Sequence, residues 1–147
     1  MRIARLLGFC RDRSGAGAVE FALLAGPLFL MMLGSLEFGR IYWAQQLLQD
    51  TAIAGARCMA VPQSQCAVSN TYNSAKTVTF VKTKASTGGI SLTDANISLN
   101  RSATCSSISG FSRVTVTHTF ESALPGFITA LATPMPMTAS ACFPNGS

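Results

Sequence analysis

Hydrophobic positions change their period twice along this chain. From Val19 to Leu36 they run almost without interruption, and Glu20 is the only charge among them. Eighteen residues at about 1.5 Å rise span about 27 Å, close to the hydrocarbon thickness of a bilayer, so this run predicts one transmembrane helix. A secretory signal would have a shorter apolar region closed by an A-x-A site, and neither is present here. From Ile41 onward the pattern thins to a stripe. Ile41, Ala44, Leu47, Leu48, Ala52 and Ala56 recur at helical spacing, without proline until Pro62 supplies a stop. One long helix over residues 16–61 is therefore expected, first membrane-spanning and then external, where its stripe needs a neighbour. Gly26-Pro27 lies within the span, where proline removes a backbone hydrogen bond and should kink the helix.

A second helix is expected over residues 69–87. Val68, Tyr72, Ala75, Val78, Val81 and Ala85 recur at steps of three or four, Ser69 or Asn70 could cap the start, and Gly88-Gly89 would end it. The β-branched run Thr77-Val78-Thr79 suits a strand as well. The period then falls to two. Ile97-Ser98-Leu99 and Val114–Phe120 alternate, and Met137–Phe143 is a third strand candidate. Leu124–Leu131 reads as a short helix or a loop, and the tail from Pro144 to Ser147 as frayed. The fold class is α+β: a long N-terminal helix, a second helix and a three- to four-stranded antiparallel sheet.

Charge sharpens this picture. Only 12% of residues are charged, against about 25% in ordinary soluble domains. Arg2, Arg5, Arg11 and Arg13 against Asp12 give the first 15 residues a net charge of +3, and the remaining 132 residues carry +2. A basic leader before an apolar span is a positive-inside signal, which orients residues 62–147 outward. No dense basic patch with interleaved aromatics exists, which argues against a nucleic-acid partner. Tyr42 and Trp43 follow the apolar run, where amphipathic aromatics mark the membrane interface.

The cysteines agree with an external C-terminal region. Cys10 lies in the leader, whereas Cys58, Cys66, Cys105 and Cys142 all follow the span. An even set there suits two disulfides in an oxidising compartment. Three pairings are possible, and the short separation favours Cys58–Cys66, leaving Cys105–Cys142. Zinc is the competing reading, but there is no C-x2-C pair and His118 is the only histidine. His118 has Thr on either side in its strand, which argues for a solvent-facing or sheet-surface position rather than acid–base work. Asp50, Asp94 and Glu121 form no recognisable hydrolase or metal motif, and Cys58 and Cys66 are too far apart for a redox C-x-x-C. No catalytic residue, metal or cofactor is assigned.

A run of short motifs adds a family likeness. Gly15-Ala16 is followed by Ala18-Val19-Glu20-Phe21-Ala22, then by Pro27, Glu37-Phe38-Gly39-Arg40 and Gly55-Ala56-Arg57. Their order around the apolar run resembles the TadE-like (TadE/TadG) branch of type IV pilin-like proteins, from the tight-adherence or Flp pilus system. Ala56-Arg57-Cys58, Cys66, Cys105 and the closing Met137-Thr-Ala-Ser-Ala-Cys-Phe-Pro144 look like a cysteine-bearing subset of that family. The resemblance implies a prepilin peptidase cutting after Gly15, which would make Glu20 the fifth mature residue, followed by aromatic Phe21. It also implies a non-enzymatic minor pilin or pseudopilin in the bacterial inner membrane, with other pilin-like subunits and pilus assembly proteins as partners. The alternative is an uncleaved single-span scaffold whose external domain binds other envelope proteins. The domains would then be a leader over 1–15, the long helix over 16–61, and an external disulfide-bonded domain over 62–147.

Glu20 is the residue these readings treat most differently. A carboxylate deep in a bilayer costs about 2.5–3.5 kcal/mol on insertion scales, so it should have a partner. One reading pairs it with headgroup water or Arg13; the other pairs it with the Ala16 amino group of a neighbouring subunit. Glu37 and Arg40 are three residues apart and read as a helix-surface pair, worth about 0.2–0.5 kcal/mol, at the outer membrane boundary.

Overall fold

In the computed structural model, residues 15–61, 63–122 and 134–145 are described. The chain divides into two units, Met1–Phe38 and Gly39–Ser147. Helix α1, Ala16–Ala60, belongs to both and continues through Pro27. Within the first unit its side chains are exposed almost all round: Phe21 and Met31, for example, are 72% and 74% exposed. A helix that is apolar on nearly every side and unburied fits a single-pass membrane anchor.

In the second unit α1 becomes one-sided. Ala44, Leu48, Ala52, Ala56 and Met59 are buried along one stripe, while Asp50, Ile53 and Arg57 stay exposed. Helix α2 is Ser74–Thr87, and a 3-10 turn at Asp94–Asn96 leads into the strands. Strands β1 (Ala67–Val68) and β2 (Thr71–Tyr72) form a small hairpin. Strands β3 (Ile97–Cys105), β4 (Ile108–Phe120) and β5 (Met135–Pro144) form an antiparallel sheet with β4 in the centre. The fold is α+β, as expected, with the strands divided into sheets of two and three. The core joins the α1 stripe to Val81 and Ala85 of α2 and to Val114, Val116, Met137 and Ala139 of the sheet.

Small residues on α1 set how closely these layers approach. A Cβ added at Gly55 would lie 2.8 Å from Val81 Cγ2 and 3.4 Å from Val114 Cγ1, so α1 meets α2 and β4 at this glycine. Beside the stripe, Gln45 and Gln49 donate side-chain amide hydrogens to the Thr138 and Ser140 carbonyls, at 3.3 and 3.4 Å. These contacts occupy part of β5, which among the described residues has no strand partner on its other side.

Several boundaries differ from the sequence reading. Helix α2 starts at Ser74, not at 69, and Asn73 caps it by accepting a 3.0 Å hydrogen bond from the Lys76 amide. Ser69 and Asn70 instead turn the β1–β2 hairpin, with φ of 50° and 61°. Two positive-φ residues between paired strands match the twist that a two-residue hairpin requires, and Ser106-Ser107 repeat the device between β3 and β4. Strands β3 and β4 extend well past the alternating segments that announced them. Nor does the tail fray at Pro144 or Asn145; Gly146 and Ser147 lie outside the described residues. Pro144 closes β5, and the Asn145 amide donates to Gly110 O at 3.0 Å while its side chain donates to Arg101 O at 2.8 Å. The segment Leu124–Leu131 lies outside the described residues.

Both expected disulfides form, Cys58–Cys66 and Cys105–Cys142. The first ties the last turns of α1 to the start of the β1–β2 hairpin. The second joins β3 to β5 across the central strand. In a flat sheet, strands two places apart are about 9.6 Å from each other, beyond the roughly 7 Å that a disulfide can bridge. Two register shifts in the β3–β4 ladder, after Asn100 and after Ala103, curl this end, and the Cα atoms lie 6.6 Å apart. Arg113 of β4 lies against the bridge, with Nε 3.4 Å from Cys142 Sγ and Nη2 donating to Thr104 O at 2.6 Å.

Candidate functional site

The residues singled out from the sequence fall in two places, both carried by α1. Gly15 immediately precedes the helix, Ala16 opens it, and Glu20 and Phe21 are exposed one turn further in. Ala16 and Glu20 are an i, i+4 pair, so a carboxylate at Glu20 can reach back toward the amine that a cut after Gly15 would create. The surrounding surface is apolar: Val19, Leu23 and Leu24 are all exposed. This is one helix long and apolar enough to cross a membrane, with a stretch of mean hydropathy 1.8 that is entirely unburied.

The second place is the end of the apolar run. Glu37 is not on an ordinary helix surface; it is 2% exposed. Burying a carboxylate is costly unless it is partnered, and Glu37 does have a partner. The Arg40 guanidinium lies 5.5 Å from the centroid of the Phe120 ring. Tyr42 and Trp43 remain 68% and 59% exposed, and Tyr42 Oη accepts a hydrogen bond from Gln46 at 3.0 Å.

Here the structure adds residues that the sequence reading passed over. Arg40 and Trp43 share a cleft of about 420 Å³ with Gly89, His118, Phe120 and Glu121. The expectation of a sheet-surface histidine misses this placement. Val114, Val116 and Phe120 alternate along β4 toward the helices, and His118 falls in the same register, half-buried at the rim. The period-two pattern carries this signal, since His118 keeps the parity of Val114, Val116 and Phe120 along β4. Trp43 also approaches Gly89, whose φ of +87° favours glycine; a Cβ there would stand 4.0 Å from the indole edge, an ordinary contact.

Elsewhere the polar contacts serve the fold. Lys82 pairs with Asp94 at 2.9 Å on the exposed surface. Arg101 stacks on Tyr72 at 5.0 Å, and partial burial raises the Tyr72 phenol above its ordinary pKa, against smaller lowering effects from Thr77 and Arg101. Among the described residues no group of three or more His, Cys, Asp or Glu side chains could hold a metal ion.

Residues 15–57 match the model of the family described as TadE-like protein, and the chain is similar to that family over this stretch. The match covers α1 from its first turn to Arg57 and none of the sheet. That family is associated with tight-adherence, or Flp, pilus systems and is not an enzyme family. No curated protein and no solved structure matches the chain.

Proposed function

We propose that this protein is a minor pilin or pseudopilin-like subunit that takes part in assembling Flp pili from the bacterial inner membrane. The observation that carries the reading is α1: TadE-like in sequence, apolar all round to Phe38, and one-sided with a buried stripe beyond it. A single element with those two surfaces suits a chain anchored in lipid at one end and folded outside it at the other. The basic leader faces the cytoplasm, and residues 62–147 face the oxidising side, where Cys58–Cys66 and Cys105–Cys142 are stable. Prepilin peptidase cuts between Gly15 and Ala16. The new α-amino group is largely cationic at neutral pH. Glu20 pairs with that group on a neighbouring pilin-like subunit, because an unpaired charge in lipid is costly and the pair fixes the register of adjacent helices. Glu37, Arg40, Tyr42 and Trp43 mark the outer boundary of the span.

The test is N-terminal analysis of the membrane-purified chain, together with co-purification of wild-type and Glu20→Gln protein with the pilus machinery. We expect both chains to begin at Ala16 and the variant to lose most of its co-purification. An intact leader on the wild-type chain would instead favour the uncleaved scaffold. Equal co-assembly of the variant would reject charge pairing at Glu20.

A further inference from the structure

We infer that the Cys105–Cys142 bridge is a thiol–disulfide exchange site, opened by a dithiol that attacks Cys142 Sγ and expels Cys105 as a thiolate beside Arg113. The two bridges of this fold differ in what surrounds them. Cys58 and Cys66 are 2% and 1% exposed, which seals their bridge from a nucleophile in solution. In the other bridge Cys105 is buried but Cys142 is exposed. Strand register explains the difference. Val114, Val116 and Ala139 turn one face of β4 and β5 into the core. Arg113 and Cys142 are direct partners one step out of that phase, so both stand on the opposite, open face.

The Arg113 guanidinium touches both sulfurs. Nε lies 3.4 Å from Cys142 Sγ and Nη2 lies 3.4 Å from Cys105 Sγ, while the bond from Nη2 to Thr104 O holds the group in place. A neutral disulfide is a weak acceptor and gains little from a cation. A thiolate gains a charge-assisted hydrogen bond, so Arg113 favours the opening bridge over the closed one. In the first step a thiolate of the dithiol bonds to Cys142 Sγ, and the S–S electron pair leaves on Cys105 Sγ. In the second, the other thiolate of the dithiol attacks its own sulfur in the mixed disulfide and releases Cys142. The two protons lost by the dithiol end on Cys105 and Cys142, and two electrons pass to the bridge. Opening removes the cross-link between β3 and β5 and leaves both strands paired to β4. An oxidising compartment closes the bridge again, so fast exchange is compatible with a bridge that is closed at equilibrium.

The experiment treats the oxidised, detergent-purified full chain with reduced glutathione, a monothiol that stops at the mixed disulfide. Acid quenching, alkylation and peptide mapping then locate the glutathione and time the opening of each bridge. We expect Cys105–Cys142 to open about tenfold faster than Cys58–Cys66, with glutathione on Cys142 about fivefold more often than on Cys105. Arg113→Gln should slow the opening about fivefold, and Arg113→Lys, which restores a cation, should recover more than half of the rate. A bracing role for Arg113 gives the opposite result, because loosened strands expose the bridge and speed its opening. In the opened chain, the pH midpoint for alkylating Cys105 should rise by about half a unit in Arg113→Gln. Should that variant unfold, the position of glutathione on the wild-type chain decides the matter. Dithiothreitol and a reduced C-x-x-C protein, at equal dithiol concentration, complete the test, and the faster of the two names the source of the dithiol. Equal opening of the two bridges, glutathione mainly on Cys105, an Arg113→Gln variant that opens as fast as wild type or faster, or failure of both dithiols would overturn the proposal.

Discussion

The two halves of α1 use nearly the same residues for opposite ends. Before Phe38 the helix carries leucine, phenylalanine and methionine on every face, and almost all of them are exposed. After Gly39 it carries leucine and alanine again, but Leu48, Ala52 and Ala56 are fully buried or nearly so, and glutamines flank them. Glycine shows the contrast most directly. A Cβ at Gly26, Gly34 or Gly39 would meet nothing within 4 Å, whereas one at Gly55 would meet Val81 at 2.8 Å. Composition alone therefore does not separate the two halves; what separates them is whether one face, and the small residues on it, meets a neighbour.

The largest expected effect separates the halves by the same substitution. Leu48 is 0% exposed in the core and Leu28 is 65% exposed in the apolar run. Leu48→Ala should destabilise the external fold by about 2–5 kcal/mol, from lost burial and the cavity left behind. Leu28→Ala should leave that transition unchanged. Denaturant unfolding of the detergent-solubilised chain, followed by near-ultraviolet circular dichroism, makes the comparison. Equal effects would mean that the first half of α1 also packs within the folded domain.

A somewhat smaller effect is expected where the second half ends. Cys58–Cys66 closes a short loop, with a sequence separation of 8, worth about 2.5 kcal/mol in the chain-entropy treatment. Replacing both cysteines with alanine should lower external-domain stability by about that amount while leaving membrane extraction unaffected. If the double variant also released the chain from the membrane, the two halves of α1 would not be independent in function.

How much of this was legible in the sequence depends on the range over which each feature is decided. The apolar run, the α1 stripe and the cysteine pairing depend on composition, spacing and compartment, and all three were readable. The start of α2 was misplaced because Ser69, Asn70 and Asn73 are all plausible caps. Only the pairing of β1 with β2 assigns the first two to a turn. Strand β3 was seen as Ile97–Leu99 because its register shifts destroy the alternation beyond Asn100. The cleft was missed because it brings Arg40 and Trp43 to His118 and Glu121, more than 70 residues away. Proximity of that kind leaves no periodic trace.

The smallest expected effect is also the one whose sign changes along the helix. Gly→Ala within a helix normally stabilises by about 1 kcal/mol, because alanine has less backbone freedom to lose. At Gly34, with open space around it, that gain should appear as a more persistent helix or as no change, never as a loss. At Gly55 the new methyl would sit 2.8 Å from Val81 Cγ2. Valine in a helix is confined largely to one χ1 rotamer, so it cannot swing aside, and Val114 blocks the other direction at 3.4 Å. Overpacking of this kind costs about 1–3 kcal/mol, which outweighs the backbone gain. Gly55→Ala should therefore lower the stability of the external domain by about 1 kcal/mol net, and the double variant Gly55→Ala with Val81→Ala should show a favourable coupling between the two sites. Strictly additive losses would mean that α1 and α2 are not in contact at Gly55, and the close approach that distinguishes the second half of the helix would have to be abandoned.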